Sequence, residues 1–152
     1  MSPASPAAYV LDASVALKWL ITSEEPDRLS ARALRERHVM GLCQLVVPEL
    51  FWLEVLNVLR WRRDVFSEAV AEQALASVEA LGLVSETLTP DLLWKTNAIS
   101  WRYGTTIYDA VYVALAVSKS TPFVTADEGL IRQMRGHSLV LRLRDLELRQ
   151  GS

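Results

Sequence analysis

Short apolar, β-branched runs alternate with longer stretches of helical periodicity along this chain. The runs occupy residues 9–11, 45–47, 84–88, 123–125 and 139–141, each too short for a helix and suited to a buried strand. Helical spacing of apolar positions fills 14–21, 25–37, 49–62, 67–81, 90–101, 106–118 and 128–135. Pro48 ahead of Glu49 and the run Thr89-Pro90-Asp91 read as helix starts, and Gly82 and Gly136 as helix stops. Strands alternating with helices predict parallel crossovers, hence a three-layer α/β/α sandwich with a mainly parallel central sheet. Ligands of such sheets bind outside the carboxyl ends of the strands.

Composition narrows the class without choosing a function. With 152 residues, 51% of them hydrophobic and 22% charged, the chain suits one folded domain and excludes a disordered or disulfide-stapled one. Residues 1–8 read as a Pro/Ala/Ser leader and 9–150 as a single domain. The 16 basic and 18 acidic residues nearly balance, so bulk charge does not announce a nucleic-acid binder. Cys43 is the only cysteine, which excludes an intrachain disulfide and a Cys/His zinc site, and a reducing cytoplasmic setting is expected. There is no basic-then-apolar signal at the start. Pro48, Glu49 and Glu54 break the longest apolar stretch well short of the ~20 residues of a membrane span.

The informative residues are carboxylates set in apolar sequence, because an ionised carboxylate in a dry site is costly unless something positive meets it. Asp12 follows the first strand, with Ser14 two residues on, although either could simply cap the next helix. Glu54 lies in a helix apolar on nearly every side, with Asn57 one turn later, and a helix this apolar is expected to be buried. Asp109 stands among apolar residues three positions after Thr106, the spacing of a capping box. Asp127 follows the fourth strand, and Thr125 with Glu128 can also be read as a capping box. Two acids at strand ends and two on helices can converge on one crevice, which independent caps have no reason to do.

Carboxylates ~4 Å apart repel by roughly 4 kcal/mol at an effective dielectric of 20, so such a cluster needs protons or divalent cations. Oxygen-only ligands favour hard ions such as Mg²⁺ or Mn²⁺, which lean on substrate phosphate for the rest of their coordination. Phosphodiester hydrolysis is the reaction this implies, with Ser14, Asn57 and Thr125 orienting carboxylates or water.

Asp12-Ala-Ser14, Glu54-Val-Leu-Asn57, Thr106-Ile-Tyr-Asp109-Ala-Val-Tyr112 and Thr125-Ala-Asp127, in this order, resemble the PIN-domain family. Within it, they resemble the VapC toxins of type II toxin–antitoxin systems. The resemblance implies a PIN-like fold and an Mg²⁺- or Mn²⁺-dependent endoribonuclease, usually a homodimer, silenced by a VapB-like antitoxin whose C-terminal segment enters the acidic site. Asp12, Glu54, Asp109 and Asp127 would then be the catalytic, metal-binding acids, with Ser14, Asn57 and Thr125 in support.

An RNA substrate needs cations near the acids, and Arg60, Arg102 and Arg132 are the candidates, with Arg62, Arg63 and Arg135 on the same rim. Trp52, Trp61 and Trp101 offer faces for base stacking or, alternatively, for the core or a dimer interface. His38 and His137 read as surface residues, and the 17–21 and 51–53 ridges as apolar area left for partners. Two other readings compete. A phosphatase of the haloacid-dehalogenase type would want an Asp where Ser14 stands, and a silent interaction module would use the acids only as caps.

Overall fold

A computed structural model describes residues 5–21 and 27–146. Five strands, β1 (Ala7–Leu11), β2 (Cys43–Pro48), β3 (Val84–Glu86), β4 (Phe123–Thr125) and β5 (Val140–Arg142), form one sheet in the order β3-β2-β1-β4-β5. Every pairing is parallel; Val10 lies opposite Val46 on one side and Phe123 on the other. The helices are α1 (Ala13–Leu20), α2 (Arg28–Val39), α3 (Leu50–Trp61), α4 (Glu68–Glu79), α5 (Pro90–Tyr103), α6 (Ile107–Lys119) and α7 (Glu128–Gln133).

The sheet grows from β1 through β2 to β3, then the chain crosses back to place β4 and β5 on the other side of β1. Right-handed crossovers therefore put α1–α4 over one face and α5–α7 over the other. The reversal opens a crevice between the carboxyl ends of β1 and β4, where open parallel sheets bind ligands.

Burial explains why these segments are regular. Val10, Leu11, Leu45, Val47, Phe123 and Val124 are fully buried, each such side chain contributing ~1.5–3 kcal/mol of transfer free energy. In α6, all residues from Ala110 to Ala116 are buried. Its alanines let the helix press onto β1, β2 and β4, and Tyr112 stacks on Phe123 with centroids 5.4 Å apart.

The expected alternation and sandwich are present, with shifted edges. β1 begins at Ala7, paired with Cys43, so the last residues assigned to the leader belong to the sheet. β3 ends at Glu86, because the Leu88 N–H turns instead to Glu49 Oε2 at 3.3 Å. The start of the second predicted helix, at residue 25, lies outside the described residues, as do 151–152. Thr89 caps α5 as expected, accepting from the Leu92 N–H at 3.2 Å. The larger correction concerns α3, expected to be buried all round. Only Phe51, Val55 and Leu59 are buried, whereas Leu53 is 65% and Trp61 67% exposed.

Candidate active site

Asp12 immediately follows β1 and is 6% exposed. It occupies the position before α1 but makes no side-chain cap bond. Its Oδ2 instead accepts the hydroxyls of Ser14 and Thr125, each at 2.7 Å. The Ser14 hydroxyl also accepts the Ala126 N–H at 3.1 Å, and Thr125 Oγ1 accepts the Asp127 N–H at 3.0 Å. With the Asp12 N–H donating to the Val124 carbonyl at 3.1 Å, the ends of β1 and β4 are stitched across the switch point. Among the described residues, Asp12 Oδ1 receives no hydrogen bond.

Two helices and the start of a third bring in the other acids. Glu54, in the middle of α3, is half-buried, with Oε1 buried and unpaired. Asp109, in the first turn of α6, donates its N–H to the Thr106 hydroxyl at 3.1 Å, so the helix-capping half of its alternative reading holds. Asp127 is exposed and is itself the cap of α7, its Oδ1 accepting the Leu130 N–H at 3.1 Å. The expected Thr125–Glu128 capping box does not form, because Thr125 is fully buried and turned to Asp12. Capping accounts for Asp127 and for Thr106, but not for Asp12 or Glu54.

Three of the carboxylates, Asp12, Glu54 and Asp109, are raised by burial and by neighbouring acids. Burial pushes Asp12 above the usual carboxylate range against the pull of the Ser14 and Thr125 hydroxyls, with Asp109 and Asp127 adding to the rise. Burial, then Asp12 and Asp109, push Glu54 up to about 7. Asp109 is raised by burial and by Asp127, against the Thr106 hydroxyl. Tyr112 completes the group: fully buried, its hydroxyl unpaired by geometry, it is pushed far up by burial and then by Asp12 and Glu54.

Among the described residues, no three of these side chains are already gathered at ligating distance. The donor set still fits a hard divalent cation. It is all oxygen, its charges repel, and both Asp12 Oδ1 and the buried Glu54 Oε1 lack protein partners.

The PIN domain model matches residues 9–136. The chain belongs to the PIN domain family. Ribonuclease VapC12 of Mycobacterium tuberculosis is 31% identical over 140 residues, covering 88% of this chain and 97% of that protein. A toxin–antitoxin complex from Klebsiella pneumoniae shares the fold with a TM-score of 0.66 at 15% identity, over 89% of this chain and 97% of that one. VapBC2 from Rickettsia felis, bound to a DNA fragment from its promoter, does so with a TM-score of 0.67 at 10% identity, over 89% and 98%.

Other expectations fare unevenly in this PIN domain. Asn57, one turn along α3 from Glu54, is exposed and accepts the Trp61 indole N–H at 3.1 Å. Arg60 is exposed, 5.1 Å from the Trp61 ring, and lines a cleft between α3 and α4 rather than the acid crevice. Arg132 does approach the acids: a Cβ on Gly129 would sit 3.1 Å from Asp127 Oδ1 and 3.9 Å from Arg132 Nη2. Arg102 lies over Tyr103 at 5.4 Å, beside His137. Trp101 is 83% exposed, outside the core, while Trp52 is half-buried and donates to Ser85 Oγ at 3.2 Å.

The 17–21 ridge is half-buried rather than open, with the Trp19 indole donating to the Ala31 carbonyl at 2.8 Å. His38 is no surface residue. Its Nδ1 accepts the Leu45 N–H at 3.2 Å, leaving Nε2 to donate to the Leu81 carbonyl at 2.8 Å, so it ties α2 to β2 and to the end of α4. Tyr112 is the site residue that sequence reading missed, since an aromatic residue in an apolar helix reads as core. Among the described residues, no helix is long and apolar enough to cross a membrane.

Proposed function

We propose that this PIN domain is a cytoplasmic, metal-dependent endoribonuclease toxin, cutting RNA phosphodiesters at the crevice formed by Asp12, Glu54, Asp109 and Asp127. The observation that carries this reading is the buried Asp12 at the sheet's switch point, its Oδ2 held by Ser14 and by Thr125, whose hydroxyl also takes the Asp127 N–H, with Glu54 Oε1 buried and without a partner. The ribonuclease relative, matched over nearly its whole length, and the toxin–antitoxin neighbours support it.

In this reading, Asp12, Glu54, Asp109 and Asp127 hold Mg²⁺ or Mn²⁺. When bound, the cation supplies Lewis-acid activation of the attacking water and neutralises charge on the scissile phosphate. Ser14 and Thr125 fix the Asp12 carboxylate by occupying Oδ2 and leaving Oδ1 for the ligand. Glu54, pushed up to about 7 in the cation-free site by burial and then by Asp12 and Asp109, is the acid whose charge a bound cation would do most to relieve. Tyr112, fully buried beside Asp12 and Glu54, excludes water from the inner wall.

The exposed apolar residues Leu53, Leu56 and Trp61 on α3, and Trp94 and Trp101 on α5, are the area a homodimer and a VapB-like antitoxin would cover. Sequencing RNA ends after pulsed expression tests the reading. The intact chain should generate new 5′ ends at recurrent sites, and Asp12→Asn should generate none. Identical end profiles would overturn it.

A further inference from the structure

At the far end of α7 from Asp127, a cavity of about 240 Å³ is lined by Ile131, Arg132, Arg135, His137, Val140 and Arg142. Its charge is uneven in a telling way. Arg142 is already neutralised: Nε and Nη2 fork onto Glu128 at 3.0 Å each, and Nη1 meets Asp145 at 3.2 Å. Arg132 and Arg135 are exposed and, among the described residues, meet no carboxylate. His137 Nδ1 accepts the Leu139 N–H at 3.2 Å, which leaves the neutral ring's proton on Nε2 as a donor. Arg102 adds its charge beside His137. In a chain of net charge −2, a pocket with two unpaired guanidinium groups is a local excess of positive charge.

The pocket also lies in line with the acids. Six residues of α7 span ~9 Å at 1.5 Å per residue, so the pocket and the acid crevice are within reach of neighbouring phosphates on one strand. Gly129 keeps the intervening surface low: a Cβ there would crowd Asp127 Oδ1 at 3.1 Å. An acid cluster repels a polyanion, so a strand entering it must be held by cations on either side.

We propose that the cavity between α7 and β5 is a phosphate-binding subsite for the RNA strand cut at the acid crevice, with Arg132 and Arg135 as the charges that hold it. It rests on the nuclease reading given above but is tested separately. In full-length protein carrying Asp12→Asn, binding of a labelled single-stranded RNA is followed by fluorescence anisotropy across a salt series. Adding Arg132→Gln and Arg135→Gln should weaken binding on the order of tenfold at low salt and flatten the log–log salt dependence by about 0.7 for each phosphate no longer neutralised. Arg132→Lys with Arg135→Lys, in place of the two glutamines, should restore most of the slope, because charge rather than fork geometry holds a backbone phosphate.

Unchanged affinity and slope in the double variant, with wild-type circular dichroism, would overturn the proposal. So would displacement of the RNA by millimolar orthophosphate as effective as that by an unlabelled oligonucleotide of equal phosphate content, which would mark a free-anion site. An intact Asp12 protein that cuts no RNA, while both arginines still govern its binding, would sink the nuclease reading and leave the subsite standing.

Discussion

Replacing Glu54 by Gln should make the metal-free protein more stable at neutral and alkaline pH. Glu54 is raised from 4.5 to about 7, first by burial and then by Asp12 and Asp109. A carboxyl raised in the folded state makes that state the better proton binder, so stability falls as pH climbs from about 4.5 through about 7. At 1.36 kcal/mol per unit the full shift would be worth ~3 kcal/mol, but Glu54 is only half-buried, and solvent screening reduces this to ~1–2 kcal/mol. For a domain of this size that is a Tm gain of about 3–6 °C.

Thermal melts in EDTA at pH 5, 6, 7 and 8 read it directly. The variant's advantage should be largest at pH 8 and shrink towards pH 5, where the wild-type carboxyl is also protonated. Millimolar Mn²⁺ should close the gap by stabilising the wild type more. A variant that melts at or below the wild type at pH 8, or an advantage equal at every pH, would refute the reasoning.

Other positions make equally definite claims. Thr125→Val removes one of the two hydroxyls on Asp12 and the acceptor of the Asp127 N–H, and should cost ~1–3 kcal/mol in chemical denaturation while raising the Asp12 titration seen by NMR. His38→Ala strands the Leu45 N–H and the Leu81 carbonyl, and should cost a further ~1–3 kcal/mol without altering RNA cleavage by protein that remains folded. Trp101→Ala, at a site 83% exposed in the single chain, should leave the stability of the dilute, antitoxin-free protomer within ~0.5 kcal/mol of wild type.

What could be read before the structure follows from how locally each signal is encoded. Asp12 and Thr125 sit at the ends of short apolar runs, and parallel strand ends share one edge of a sheet, so their meeting was implied by the alternation alone. The exposure of Asn57 was not legible because a helix apolar on every side does not say which side is buried. Leu53, Leu56 and Asn57 share the open face of α3, while Glu54 turns inward. His38 was illegible because its partners are backbone groups on other elements, one of them 43 residues away. The cap of α7 went to Asp127 rather than Thr125 because Asp12 competes for the threonine hydroxyl, an interaction across 113 residues. Tyr112 shows the same limit: only the folded chain sets its hydroxyl beside three acids.

The central claim is that four acids from four elements act as one cation-dependent phosphodiesterase centre. The rate of cleavage of a labelled single-stranded RNA by purified protein, measured with Mg²⁺ or Mn²⁺ for the wild type and for Asp12→Asn, Glu54→Gln, Asp109→Asn and Asp127→Asn, tests it most directly. Cleavage that stops on adding EDTA, returns with the cation and is abolished or reduced at least 100-fold in every variant with the fold retained is the predicted result. Undiminished cleavage by folded Asp12→Asn or Asp109→Asn, or cleavage indifferent to EDTA, would contradict it.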